Sequence, residues 1–225
     1  MSKTMASAYL IPLAQWLGVA MPTLYAGITF QYSLTFRLLS QIALAPDNVA
    51  NESKAGNNND SRKRRQWLLS TQWYAIYKQG PLWVPPLLLS GGIANLYLYF
   101  RGPNHHLGPY LRHSTLAAGL LVLSLLPLTF FYLEPGINGA CKWKHAQLTK
   151  ELKDDQQILL SPTALQSIVP ASVTHHTATA ASKAWADKAD MTELVEGWVR
   201  RNHLRWVVGI AAGGLSFLGS WGLSS

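Results

Sequence analysis

Three side chains near the C-terminus have the types and the spacing of a ligand-binding site. Trp198, Asn202 and Arg205 follow one another at intervals of four and three residues. On a helix with about 100° per residue, they fall within roughly 60° of one another. Residues 206–223, which come next, contain no ionisable side chain and are long enough to enter a bilayer. Arg205 therefore either snorkels to lipid headgroups as an anchor or turns inward as part of a polar site.

Further polar and aromatic side chains lie near the predicted ends of apolar helices, on one side of the bilayer. Amide and hydroxyl groups left unpaired in lipid cost roughly 2–7 kcal/mol, so these side chains should face a helix bundle. One interpretation is that they only bond neighbouring helices together. As a group, with a positive charge and many aromatic rings, they favour a pocket. The residues are Tyr25, Thr29, Gln31, Tyr32, Gln72, Trp73, Tyr77, Glu134, Asn138, Trp198, Asn202 and Arg205.

The sequence lacks the signatures of common soluble enzymes, with no P-loop, GxGxxG, GxSxG, HExxH or CxxC motif. The pairs His105-His106 and His175-His176 have no further His, Cys or carboxylate at ligand spacing, which argues against a metal site. Histidines from different helices could still converge on haem or copper. The single cysteine, Cys141, has no evident base partner and excludes an intramolecular disulfide. We therefore predict no metal and no other cofactor.

Four apolar stretches could span a membrane, at residues 9–36, 81–100, 114–133 and 203–223. The mean hydropathy of +0.07 hides them, because polar segments separate them. Several of the nine Trp and nine Tyr residues lie near the predicted ends, as in interfacial aromatic belts. The sequence predicts an all-α polytopic membrane protein. Its single domain, residues 1–225, would be a four-helix transmembrane bundle with cytosolic helical extensions in polar loops at about 45–79 and 134–202.

The distribution of positive charge predicts the orientation of this bundle. The formal net charge is +8, and most Lys and Arg residues fall in or beside the two long loops. This places the loops in the cytosol and both termini in the lumen of an endomembrane. Residues 62–65 are basic but lack an aromatic-rich platform, so we predict no nucleic-acid partner. Asn51 and Asn59 stand in Asn-x-Ser sequons that a cytosolic position would leave unmodified.

The sequence also predicts the structure of the segments between the spans. The first helix is predicted to continue to about Leu44. Residues 62–78 predict an interfacial amphipathic helix. The sequence Glu134-Pro135-Gly136 predicts a sharp end to the third helix. Residues 161–182 should be loose, and residues 184–201 should be helical again and lead into the last span.

In three places the chain resembles the small four-span proteins of the anthrone oxygenase-like family, whose fungal members occur in aromatic polyketide pathways. The first is Leu133-Glu134-Pro135-Gly136-Ile137-Asn138-Gly139-Ala140-Cys141-Lys142-Trp143-Lys144. The others are Trp198-x-x-x-Asn202-x-x-Arg205 and Ala26-Gly27-Ile28-Thr29-Phe30. Relatives often have a Pro-x-Asn pattern after the third helix, and here the pattern is one residue longer, Pro135-Gly136-Ile137-Asn138.

The resemblance implies oxidation of an anthrone-type polyketide to an anthraquinone by O₂, without metal or flavin. Deprotonation of the anthrone gives a delocalised anion that can pass an electron to O₂. Such an enzyme needs a base, a group for the developing oxyanion and a flat apolar pocket. Arg205 and Asn202 would bind the enolate oxygen, and Trp198 and Trp73 would pack on the rings. The remaining assignments are Glu134 as the base, with His203 or His145 as alternatives, Asn138 as a further catalytic residue, and Tyr77, Tyr25 and Thr29 as substrate contacts.

Two other functions compete with this one. The chain could be a non-catalytic membrane carrier, or a scaffold that gathers pathway enzymes through its basic loops. It could also be a metal-assisted oxidoreductase acting on another phenolic substrate. For the oxygenase, the expected partners are a small aromatic polyketide, O₂ and the lipid bilayer, with other pathway enzymes as potential associates.

Overall fold

The computed structural model describes residues 3–44, 58–102, 109–153 and 177–221 of the 225-residue chain. These residues form helices joined by short connections, and no strand occurs among them, which confirms the all-α prediction. The helices are α1 (Lys3–Leu44), α2 (Asn58–Tyr77), α3 (Gly80–Arg101), α4 (Pro109–Leu128), a π-helix (Thr129–Asn138), α5 (Gly139–Lys153), α6 (Ala180–Lys188) and α7 (Met191–Trp221).

The chain divides into two compact units, and neither is one continuous segment. Unit 1 comprises Met1–Gln31, Trp83–Thr129 and Asn202–Ser225. Unit 2 comprises Tyr32–Leu82 and Phe130–Arg201. The two longest helices, α1 and α7, therefore contribute residues to both units.

Unit 1 consists of α4 with parts of α1, α3 and α7. Its core includes Tyr25, Val122 and Ala212, which are fully buried. Gly209 of α7 approaches α1 so closely that a Cβ at this position would stand 3.0 Å from the Cβ of Ala26. Glycine at such a point lets two helix backbones pack together, as small residues do in transmembrane bundles.

The outer surface of unit 1 is apolar. Large side chains are more than half exposed on all four of its helices, for example Trp16 on α1 (60%), Ile93 on α3 (61%), Leu120 on α4 (56%) and Ile210 on α7 (56%). Apolar side chains exposed on all four helices are expected where a surface contacts lipid or another protein. In unit 1 the exposed apolar side chains lie on the same helices that the hydropathy pattern predicts as spans.

Within the described residues, one helical stretch is long and apolar enough to cross a membrane by length and composition. It is Tyr110–Leu152, whose most apolar window has a mean hydropathy of 2.2. This stretch contains the predicted third span and supports membrane association. The number of spans stays a prediction.

Unit 2 packs α2 against α5 and α5 against α6 around aromatic and aliphatic side chains. Phe36, Trp73, Ile137 and Met191 belong to its buried core. The predicted interfacial helix at residues 62–78 is confirmed as a helix, α2, which begins a turn earlier. The first helix reaches Leu44, as predicted.

The predicted end of the third helix at Glu134-Pro135-Gly136 is wrong. The chain runs from α4 through the π-helix into α5 without a break. Proline inside an α-helix removes a backbone donor, and its ring clashes with the carbonyl group four residues earlier. The wider turn of a π-helix accommodates Pro135, and such turns often occur at functional sites. Glu134 and Asn138 consequently lie about one turn apart on a continuous helix.

The predicted helical character of residues 184–201 is confirmed, and this segment consists of two helices. Helix α6 ends at Lys188 and α7 begins at Met191. Asp190 Oδ1 accepts a hydrogen bond from the backbone N–H of Glu193 at 2.9 Å. This is an N-cap arrangement, and it starts a new helix because it satisfies a donor that has no partner within the helix.

Some sequence-based predictions lie outside the described residues. They concern Asn51, the side chain of Asn59, the pairs His105-His106 and His175-His176, and most of residues 161–182. Within the last range, residues 177–182 are ordered and include the start of α6, so the prediction of a loose segment is wrong for them.

Candidate functional site

Four of the predicted site residues meet in unit 1, in what we call the Arg205 cluster: Tyr25, Thr29, Asn202 and Arg205. The Nε atom of Arg205 donates to Tyr25 Oη at 2.7 Å, and Nη1 donates to Asn202 Oδ1 at 3.4 Å. The Nδ2 atom of Asn202 donates to the backbone carbonyl of Thr29 at 2.7 Å. Helical spacing brings these groups together, because each pair lies about one turn apart on α1 or α7.

The Arg205 cluster holds a positive charge among neutral partners. Tyr25, Thr29 and Asn202 are at most 2% exposed, and Arg205 is half-buried. In the described part of the chain no carboxylate pairs with Arg205, and its Nη2 atom makes no hydrogen bond there. A guanidinium fixed in this way keeps its charge and a free donor nitrogen for an anionic ligand.

Five side chains of unit 2 form a second polar group, the Glu134 cluster: Tyr77, Glu134, Asn138, Lys142 and Thr177. Tyr77 Oη donates to Glu134 Oε1 at 2.6 Å, and Thr177 Oγ1 donates to the same oxygen at 3.0 Å. Asn138 Nδ2 donates to Oε2 at 3.0 Å, and Lys142 Nζ forms an ion pair with Oε1. Four donors stabilise the ionised carboxylate. They also compete with a substrate proton for the same two oxygens.

The π-helix and the segment before α6 hold the Glu134 cluster in place. A Cβ at Gly139 would stand 2.7 Å from the Cα of Ala178 and 3.0 Å from its backbone nitrogen. Glycine is therefore required for the two backbones to approach. This approach brings Thr177 Oγ1 to the backbone carbonyl of Glu134, at 3.1 Å, as well as to its carboxylate.

An aromatic row adjoins the Glu134 cluster within unit 2. Trp198 Nε1 donates to Asn138 Oδ1 at 3.1 Å. The Trp198 ring meets Trp73 edge-on, with centroids 6.4 Å apart, and Trp73 stacks on Tyr77 at 5.0 Å. Trp73 is fully buried and Trp198 is 6% exposed. Protein atoms therefore cover both rings, and their role in stacking on a substrate stays a prediction.

Burial disfavours ionisation of Tyr77. Loss of water around the phenol, and then the negative charge of Glu134, raise the pKa of Tyr77 well above its ordinary value. The phenol therefore stays protonated at physiological pH and serves as a donor to Glu134. Lys142, itself 4% exposed, balances the carboxylate, so the buried charge is paired.

Comparison with known proteins identifies the family. The profile of the anthrone oxygenase family matches residues 73–215, which is more than half of the chain. The chain belongs to the anthrone oxygenase family. Membership supports an oxygenase-type enzyme at the level of the family. No curated protein and no solved structure matches the chain.

The match to the anthrone oxygenase family covers the Glu134 cluster in full and the Arg205 cluster only in part. It begins at Trp73 and extends past Arg205, so it includes the whole Glu134 cluster. It leaves out α1, which supplies Tyr25 and Thr29 to the Arg205 cluster. The resemblance at Ala26-Gly27-Ile28-Thr29-Phe30 therefore stays a prediction.

The two histidines considered as alternative bases contact side chains that belong to neither cluster. His203, in unit 1, lies edge-on to Trp206 with ring centroids 6.0 Å apart. His145, in unit 2, has its Nδ1 atom 3.0 Å from Ser70 Oγ and stacks on Tyr74. Among the described residues no group of three or more His, Cys, Asp or Glu side chains could hold a metal ion, and Cys141 is buried.

Sequence reasoning missed Lys142 and Thr177. Lys142 stands eight residues after Glu134, a spacing of about two turns that places both on one face of a continuous helix. That signal was hidden because the helix was predicted to end at Pro135. Thr177 comes from a distant segment, and no local pattern links it to Glu134.

Proposed function

We propose that the chain is a cofactor-independent oxygenase that converts an anthrone-type polyketide to an anthraquinone with O₂. Family membership supports the oxygenase class. The observation that carries the mechanism is the half-buried guanidinium of Arg205, which neutral groups hold in place and which retains a donor nitrogen.

The proposed chemistry balances without a redox cofactor. A base removes one proton from the anthrone methylene, and the resulting anion passes one electron to O₂, which gives a carbon radical and superoxide. Their combination forms a C–O bond and a peroxide anion. Loss of the second methylene proton with cleavage of the O–O bond forms the new carbonyl and releases hydroxide. Hydroxide and the first proton make water, so anthrone and O₂ become anthraquinone and water.

Arg205 would act on the oxygen of the anthrone that becomes negatively charged on deprotonation. A cation that is already in position in an apolar environment stabilises such an oxyanion without reorganisation. Tyr25 and Asn202 supply this preorganisation, because each accepts a hydrogen bond from a different nitrogen of the guanidinium. Thr29 in turn fixes Asn202 through its backbone carbonyl.

We further propose that the chain is an integral membrane protein. Its four spans would be α1, α3, α4 and α7, with the long loops in the cytosol and the termini in the lumen. The exposed apolar side chains on these helices in unit 1 support it. A planar and poorly soluble polyketide partitions into lipid, so a site among membrane helices meets its substrate where the substrate concentrates.

The roles of the unit 2 residues stay predictions within this proposal. Glu134 as the base would have to exchange one of its four donors for the substrate proton. Asn138 would assist it, and Trp73, Trp198 and Tyr77 would contact the substrate rings. Their present contacts are with one another.

The test is aerobic conversion of emodin anthrone by purified protein in detergent, in the presence of a chelator, compared with the spontaneous rate. Arg205→Met keeps an unbranched apolar stem and removes the guanidinium group with its charge. Loss of one oxyanion donor typically reduces kcat by about 100- to 1,000-fold, and we expect a loss in this range. Arg200→Met is the matched control, because Arg200 is an exposed residue of the same helix.

Each outcome of this test has a distinct meaning. Wild-type protein that does not exceed the spontaneous rate would exclude this substrate class and favour a carrier or scaffold. Turnover that the chelator abolishes and a metal restores would favour the metal-assisted oxidoreductase. Equal rates for Arg205→Met and wild type would leave the oxygenase class intact and remove Arg205 from the mechanism.

A further inference from the structure

We infer that Tyr77 is a radical sink: an oxidising equivalent that enters the row Trp198, Trp73, Tyr77 ends as a neutral tyrosyl radical, while Glu134 takes up the phenolic proton. The observation is the juxtaposition, within unit 2, of three oxidisable rings in succession and a carboxylate hydrogen-bonded to the last of them. The inference rests on the proposed function in one respect, namely that a substrate carbon radical formed during oxygenation can add O₂ and become an organic peroxyl radical.

The three rings are close enough for electrons to move between them. Trp73 and Tyr77 are stacked with centroids 5.0 Å apart and an interplanar angle of 12°. Trp73 and Trp198 meet edge-on at 6.4 Å. Both separations lie within the range of direct ring contact, about 4.5–7 Å. Electrons can therefore pass along the row by short steps.

The groups that can accept a proton differ along the row. The electron vacancy should therefore move toward the ring with the best proton acceptor. Trp73 Nε1 is buried and has no hydrogen-bond partner, so an oxidised Trp73 has nowhere to release its proton. Trp198 Nε1 donates to an amide oxygen, Asn138 Oδ1, which is a very weak base. Tyr77 donates to a carboxylate at 2.6 Å. Tyr77 is therefore the ring in the row that can lose an electron and a proton together.

Lys142 reinforces this coupling. Its Nζ atom lies 5.4 Å from the centroid of the Tyr77 ring and is paired with Glu134. A positive charge near the ring disfavours a tyrosine radical cation, so electron loss from Tyr77 requires simultaneous loss of the proton. The proton moves along the existing hydrogen bond to Glu134 Oε1.

The step balances in atoms and charge. A peroxyl radical gains one electron from the row and becomes a peroxide anion. Tyr77 supplies that electron and loses its O–H proton to the Glu134 carboxylate, which becomes a neutral acid. The products are a peroxide anion, a tyrosyl radical and a protonated Glu134. This electron transfer would protect other side chains from oxidation when a substrate radical adds a second O₂ molecule.

The test uses full-length protein in detergent without any anthrone. A photoexcited ruthenium tris-bipyridine complex with persulfate supplies the one-electron oxidant, and samples are frozen after the short-lived surface radicals have decayed. We expect wild type to show a persistent tyrosyl signal in electron paramagnetic resonance. Tyr77→Phe should lose it, and Tyr110→Phe should retain it, because Tyr110 is 86% exposed and has no place in the row.

A second variant keeps the inference testable if Tyr77→Phe does not fold. Trp73→Phe replaces the middle ring by one that is harder to oxidise, and it should reduce the persistent tyrosyl signal while Tyr77 remains. An unchanged signal in either variant would overturn the inference. Because no anthrone is present, failure of the proposed oxygenation leaves this result standing, and failure here leaves the oxygenation untouched.

Discussion

Arg205 and Glu134 illustrate two ways of holding a charge among buried groups. Arg205 is fixed by Tyr25 and Asn202, which are neutral, so its positive charge remains available. Glu134 is paired with Lys142 and surrounded by further donors, so its negative charge is already neutralised. At the scale of residues, the first arrangement suits ligand binding, and the second suits structural stability.

The Glu134–Lys142 pair should show strong coupling. Removing one partner of a buried ion pair typically costs about 3–5 kcal/mol, because the other charge is left unpaired. We expect Lys142→Met to destabilise the protein by about this amount, and Glu134→Gln with Lys142→Met to cost less than the sum of the single changes. Denaturant unfolding of all four proteins of the double-mutant cycle measures the coupling. Additive losses would show that the pair makes no joint contribution.

The residues that sequence reasoning found are those with local spacing. Asn202 and Arg205 lie at helical spacing, and the structure brings their side chains into contact. The contact between Thr177 and Glu134 was missed because the two residues lie 43 positions apart in the sequence. Such pairings depend on tertiary packing, and no periodic pattern in a single sequence records them.

At the scale of elements, the π-helix is the feature that sequence reasoning misjudged. Proline followed by glycine is the usual signal for the end of a helix, and Pro135-Gly136 has that form. The chain stays helical because a wide turn tolerates the proline, and because the following segment packs back at Gly139. Long apolar helices were predictable because their signal is summed over many residues, whereas this junction depends on one contact.

Gly139 and Gly136 form a matched pair for testing that contact. A Cβ at Gly139 would meet the backbone of Ala178, whereas nothing lies within 4 Å of a Cβ at Gly136. We expect Gly139→Ala to destabilise the protein by about 1–3 kcal/mol through overpacking. Gly136→Ala should be neutral or stabilising, because alanine favours helix. Thermal unfolding of both variants is the measurement, and equal stabilities would contradict the close approach.

The contact between α5 and α6 should weaken in acid. Hydrogen bonds from Trp143 and then Gln147 lower the pKa of Asp187 below its ordinary value. A lowered pKa stabilises the folded state above the unfolded pKa of about 3.9, and this contribution is lost as pH falls through the folded value. The protection factors of the α6 amides, which are hydrogen-exchange rates corrected for the intrinsic rate at each pH, should therefore fall at low pH. In Asp187→Asn this acid step should be absent, and a step that persists there must come from another group.

At the scale of the whole molecule, exposed apolar side chains and segregated basic loops both point to the bilayer. We expect alkaline carbonate to leave the protein in the membrane fraction, because integral helices resist such extraction.

A charge in place of an exposed apolar residue, such as Ile210→Lys, should reduce insertion, since lysine at a helix centre costs about 2.5–3.5 kcal/mol.

Ser53→Ala, which removes the Asn51 sequon, should not change the electrophoretic mobility. A mobility shift would place that loop in the lumen.

The division into units has a consequence for the order of synthesis. The last segment of unit 2 ends at Arg201, and the last segment of unit 1 begins at Asn202. A ribosome adding residues in sequence therefore completes unit 2 while unit 1 still lacks α7 beyond that point. Asn202 and Arg205, the last two members of the Arg205 cluster, are made only after the Glu134 cluster has all its parts. During translation, all residues of the unit with the paired charge are therefore made before the unit with the unpaired guanidinium is complete.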